Sequence, residues 1–164
     1  MVSASNFLVD GIRYNITDAS EQTVTLTGWD SSYFSSLRAP VNPPVGIKTE
    51  DADGPVELVI PWRVLYNGIY YRVTGIGEEA FADCRTLQSV TIPNSVETIG
   101  EYAFQDCINL HSVKVQWINP LPIDESVFEG VNCQAASLYV LSGYKEVYEA
   151  APVWQSFGNI YTLL

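Results

Sequence analysis

Ten identities separated by a constant 23 residues constrain this chain more than anything else in it. Residues 76–98 read IGEEAFADCRTLQSVTIPNSVET, and residues 99–121 read IGEYAFQDCINLHSVKVQWINPL. Ile76, Gly77, Glu78, Ala80, Phe81, Asp83, Cys84, Leu87, Ser89 and Val90 return as Ile99, Gly100, Glu101, Ala103, Phe104, Asp106, Cys107, Leu110, Ser112 and Val113. A period of this size belongs to solenoids, in which one unit cannot bury its apolar face without a neighbour.

Each unit reads the same way. Leu87, Val90 and Ile92 point inward while Ser89 and Thr91 point out, which predicts a short strand pairing in parallel with its copies. Pro93 cannot donate to a ladder and ends the strand. Val96 and Ile99 return to the core, Gly100 permits a tight bend, and 101–106 is expected to make one or two helical turns that bury Ala103 and Phe104. Stacked units lay Phe on Phe, each large side chain gaining about 1.5–3 kcal/mol from burial.

The array is short and has imperfect ends. Glu57-Leu58-Val59-Ile60-Pro61 matches 89–93 and forms a degenerate first coil. A hairpin of 63–66 and 69–73 about Asn67-Gly68 follows it. After the two full repeats, Phe128 stands where Phe104 stood, and Ser137-Leu138-Tyr139-Val140 where 112–115 stood. Upstream, 7–27 reads as a β-hairpin region about Asp10-Gly11, with Ile12, Tyr14 and Ile16 inward and its edge covered by the solenoid end. Residues 29–55 hold Pro40, Pro43, Pro44, Pro55 and the acidic Glu50, Asp51 and Asp53, and read as a long loop. Downstream, Tyr144, Val147, Tyr148 and Ala151 share one face of a helix N-capped by Ser142, then a short turn at 153–157 and an extended tail. The expected fold is an α/β repeat solenoid, a short leucine-rich-repeat array with one parallel strand per coil, an N-terminal antiparallel β-hairpin region and a C-terminal capping helix. Its expected divisions are 1–55, 56–141 and 142–164.

The pattern IGxxAFxxCxxLxSVxIPxSVxxIG resembles the BspA-like leucine-rich repeats of Bacteroides-type surface proteins. The opening FLVDGIRYNIT and the ending LYVLSGYKEVYEAAPVWQSFGNI are similar to their terminal segments. The resemblance implies a secreted or cell-surface, non-enzymatic protein from a family associated with adhesion to host proteins or other cells.

Charge and composition narrow the partners. The net charge of −11 opposes both nucleic acid and anionic membrane surfaces. No apolar run approaches the ~18 residues that span a bilayer. Met1 followed by Val-Ser-Ala-Ser reads as a start joined to a mature polar linker, with an export signal removed. Partners are therefore expected to be an extracellular protein or glycan, with no cofactor and no metal. The alternative is a purely structural or self-associating solenoid with no dedicated ligand.

Chemistry-bearing residues are few. The three cysteines lack CxxC spacing, and Cys84, Cys107 and Cys133 read as small buried hydrophobes in register. Helical packing would hold successive coils about 8–10 Å apart, beyond disulfide reach, so free thiols are expected. His111, the single histidine, has no nucleophile and acid to complete a triad and reads as a surface residue. Asp51-Ala52-Asp53-Gly54 is only a fragment of a calcium loop, and Asp124-Glu125 lacks its spacing altogether.

The outward positions are more informative. One column down the strands reads Val59, Thr91, Lys114, Tyr139, and its neighbour Glu57, Ser89, Ser112, Ser137. Just past the strand ends, Trp62, Asn94 and Trp117 share a repeat position. Exposed Trp and Tyr anchor interfaces; the alternative is that the two indoles pack under neighbouring loops. The candidate interaction surface is Val59, Thr91, Lys114, Tyr139, Trp62 and Trp117.

Overall fold

A computed structural model describes residues 5–36 and 55–163. Strands β1 (Asn6–Val9), β2 (Ile12–Asp18) and β3 (Thr23–Trp29) form the antiparallel region at the start of the chain. Asp10 and Gly11 both take positive φ in the β1–β2 turn, the geometry that matches hairpin twist. Trp29 is thus the end of a strand. The next residues form a short helix, α1 (Ser31–Ser36), whose first turn is fastened by the Tyr33 N–H donating to Asp30 Oδ1 at 3.1 Å. The expected 29–55 loop therefore begins as strand and helix. Its Pro40, Pro43, Pro44, Glu50, Asp51 and Asp53 lie outside the described residues.

The degenerate coil follows, with β4 (Glu57–Val59), β5 (Arg63–Tyr66) and β6 (Ile69–Ile76). Asn67 and Gly68 turn the β5–β6 hairpin at φ 50° and 77°. Then come β7 (Ser89–Ile92), β8 (Thr98–Ile99), β9 (Ser112–Val115), β10 (Ser137–Val140), the helix α2 (Lys145–Glu149) and β11 (Asn159–Thr162).

Two sheets result. One runs β1-β2-β3-β6-β5, with β8 pairing onto β6; the other runs β11-β10-β9-β7-β4. The second is parallel throughout, and its register is the repeat itself: Glu57 pairs Ser89, Ser89 pairs Ser112, and Ser112 pairs Ser137. The first sheet joins the solenoid through β3, which pairs in parallel with β6, and β1 is one of its outer strands.

The core follows the inward column. Leu87, Val90, Ile92, Phe104, Val113 and Leu138 are all fully buried. Aromatic rings run through the stack: Trp29 on Phe81, Phe81 on Phe104, Phe104 on Phe128, at centroid spacings of 5.9, 5.5 and 5.6 Å.

Three local expectations are corrected. The return path at 101–106 is not helical. Glu79, Asp83, Tyr102 and Asp106 take φ of 54–60°, which stops i→i−4 bonding. Their coils bond sideways instead: the Phe81 N–H donates to Ala103 O at 2.7 Å and the Phe104 N–H to Val127 O at 2.9 Å. Ser142 is not the N-cap of α2; Tyr144 occupies that place without a side-chain bond. Tyr148 is buried on this helix while Val147 is exposed. The extended tail is β11, which pairs in parallel with β10 and continues the sheet. The strand, rather than the five-residue helix, covers the edge of β10.

Candidate interaction surface

The strand sequence alternates, so the parallel register brings outward residues into rows. Val59 pairs with Thr91, Thr91 with Lys114, and Lys114 with Tyr139, and all four side chains are half-buried on the sheet face. The row does not stop there. Tyr161 of β11 is paired with Tyr139, its ring 5.5 Å away at 34°. The Lys114 ammonium lies 5.9 Å from the Tyr139 ring centroid, within cation–π range. The neighbouring row runs Glu57, Ser89, Ser112, Ser137 and Asn159. A ladder of short polar side chains thus borders a cation and two phenols.

The two tryptophans part company. Trp62 is 54% exposed, immediately before β5 and outside this row. Trp117 does not belong to a surface: it is 7% exposed, and its Nε1–H donates to Val96 O at 2.8 Å. Trp154 lies against its ring at 5.9 Å, and the Tyr148 hydroxyl donates to Trp117 O at 2.9 Å. The C-terminal segment closes over Trp117, whereas among the described residues Trp62 stays exposed. The sequence signal for Tyr161 was the alternation of Asn159–Thr162, which buries Ile160 and exposes its neighbours.

Cys84, Cys107 and Cys133 are free thiols. The helical spacing invoked to separate them does not exist; Cys107 Sγ instead donates to Phe81 O of the preceding coil at 3.1 Å. Burial raises the Cys84 thiol to about 11, and raises Cys107 as well, so neither is a nucleophile near neutral pH. His111 is exposed. Asp124 accepts the Ser126 N–H at 2.9 Å and caps a 3-10 turn, Glu125–Phe128; the bond to Ser126 lowers its pKa. Among the described residues, no His, Cys, Asp and Glu side chains gather as a metal site, and no helix is long and apolar enough to cross a membrane.

Known proteins bear on this arrangement. Residues 68–151 match the BspA type leucine rich repeat region in six copies. Among solved structures, a leucine-rich repeat protein from Bacteroides capillosus is 25% identical with a TM-score of 0.59, over 98% of this chain and 99% of that one. A leucine-rich repeat protein from Bacteroides ovatus is 22% identical with a TM-score of 0.50, over 96% of this chain and 41% of that one. Curated proteins yield no match.

Proposed function

The chain belongs to the BspA-type leucine-rich repeat family, and on that premise we propose that it is a secreted or cell-surface module that binds an extracellular protein or glycan. In this reading residues 1–55 cap one end, 56–141 form the array and 142–164 close the other end. No reaction is assigned to it: leucine-rich repeats serve as binding scaffolds, and among the described residues His, Cys, Asp and Glu side chains do not cluster.

One observation carries the reading. The repeat fixes the inward residues, while the outward row changes at each strand from Val59 through Thr91, Lys114 and Tyr139 to Tyr161. A constant core and Ser89–Ser112–Ser137 row beside one outward row that varies is what a rigid scaffold with a single adaptable stripe requires. Tyr side chains, with two χ angles each, lose little conformational freedom on contact.

The experiment is a glycan array, together with a panel of immobilised extracellular matrix proteins, probed with the wild-type chain and with the Lys114→Ala, Tyr139→Ala double variant. Binding lost in the double variant supports the sheet face. Binding retained by it refutes that face. Concentration-dependent self-association in light scattering, with no ligand on either panel, supports a structural solenoid instead.

A further inference from the structure

The β5–β6 hairpin contains a pairing that antiparallel sheets avoid. Arg63 and Arg72 stand directly opposite one another, and like charges so placed destabilise a strand pair. They are two of only eight Lys and Arg in a chain of net charge −11. Arg72 reaches Glu97 at 3.8 Å. Arg63 has no carboxylate partner among the described residues. Its guanidinium lies instead 4.0 Å from the Tyr70 ring centroid and 4.6 Å from that of Trp62. Ring faces hold the fork in place without using its N–H donors, which leaves it pre-ordered for an acid.

Alternation along the hairpin places Arg63, Leu65, Tyr70 and Arg72 outward while Val64 and Tyr71 are buried. Leu65 is paired with Tyr70, and each is half exposed. The result is an apolar strip between two cations, extended by Trp62. A cleft of about 270 Å³ adjoins it, lined in part by Ile12, Leu58, Arg63 and Leu65, with Asp10 in its wall as well, so the acidic groups of a partner are expected at the arginines and its apolar side chains towards the cleft. Trp, Tyr and Arg are the residues that dominate interface energetics, and a retained violation of a local pairing rule is expected where a surface has another task.

We propose that this hairpin face docks an acidic, partly apolar peptide segment of another protein. The partner's carboxylates meet Arg63 and Arg72, and its apolar side chains lie on Leu65, Tyr70 and Trp62. The apolar strip favours a peptide over a glycan, because Leu65 offers nothing to a hydroxyl. The chain's own negative charge repels an acidic segment elsewhere, so productive encounters concentrate at this hairpin. Its arginines and apolar strip lie on β5 and β6, whereas Lys114 and Tyr139 lie on β9 and β10, so the two sets are tested separately even though Val59 of the outward row lines the adjoining cleft.

The test is fluorescence anisotropy of the full chain with a labelled peptide of alternating Glu and Leu, beside Lys-Leu and Ser-Leu versions. The Glu-Leu peptide is expected to bind, more weakly as salt rises, and the other two not. The Arg63→Gln, Arg72→Gln variant keeps the far-ultraviolet spectrum of the fold and loses about tenfold or more in affinity, in line with removal of interfacial charges. Lys114→Ala with Tyr139→Ala leaves this binding unchanged. Equal binding by the arginine variant, or by the Ser-Leu peptide, overturns the proposal. So does full displacement by a neutral oligosaccharide, which would mark a glycan site, or a dimer in light scattering that Arg63→Gln dissolves, which would make the occupant a second copy.

Discussion

Phe81 and Phe104 stack face to face across adjacent coils, their ring centroids 5.5 Å apart and their planes 9° from parallel. Phe104 is fully buried and has Phe128 on its other side at 5.6 Å, so its ring joins three coils. Phe104→Ala opens a cavity that rings on both sides cannot fill, and is expected to cost about 3–5 kcal/mol in urea unfolding. Since each coil depends on its neighbours, the loss is expected in one cooperative transition. A two-step transition, with one sheet surviving, would contradict this account.

Gly100 is required for a different reason from Gly68. A Cβ at Gly100 would fall on the backbone of Glu78 and Gly77 in the preceding coil. A Cβ at Gly68 would meet nothing within 4 Å, but φ there is 77°. Gly100→Ala therefore forces the coils apart, at about 1–3 kcal/mol. Gly68→Ala strains only its own turn, at about 1–2 kcal/mol. The two are separable by crystal structure or by amide exchange. Gly100→Ala is expected to increase exchange at the Phe81 and Phe104 amides that bridge coils, and Gly68→Ala to leave those amides unchanged.

The sheet was legible because its register is written in the sequence. Glu57-Leu58-Val59, Ser89-Val90-Thr91 and Ser112-Val113-Lys114 align by eye and pair as aligned. The return path was not legible. Glu79, Asp83, Tyr102 and Asp106 hold positive φ, which Glu and Tyr do not advertise, because the next coil compensates their backbone N–H groups, through carbonyls for Glu79, Asp83 and Asp106 and through the Ser126 hydroxyl for Tyr102. That compensation is non-local, so no local pattern announces it. Trp62 and Trp117 illustrate the same limit at the candidate site. They share a repeat position, yet among the described residues only Trp117 receives a later segment, through Trp154 and Tyr148.

Alkali is expected to destabilise the fold through its buried thiols and phenols. Burial raises Cys84 from 9.0 to about 11 and Tyr148 from 10.0 to about 12, and raises Cys107 and Tyr14 as well. A raised folded-state value means that the unfolded chain ionises first. The contribution of Cys84 is therefore complete below pH 9 and is lost as pH rises from about 9 towards about 11. Each such thiol removes roughly 1.4 kcal/mol per pH unit across its window. Urea midpoints measured from pH 7 to 10.5 should fall above pH 9, and Cys84→Ala with Cys107→Ala should flatten that fall even though it lowers the midpoint at pH 7. An unchanged slope would mean that the thiols ionise inside the fold.

The contrast between the tryptophans can be read directly by fluorescence. Of the four, Trp117 and Trp154 are buried, Trp29 is half-buried and Trp62 is exposed. Trp62→Phe is expected to remove most of the acrylamide-quenchable emission and to change stability by no more than about 0.5 kcal/mol. Trp117→Phe should leave quenching intact but cost about 1–3 kcal/mol, because Val96 O loses the indole donor in a site that water does not reach. If Trp117→Phe were neutral and removed the quenchable emission, the C-terminal segment would not close over the last coils as described, and Trp117 would return to the candidate surface.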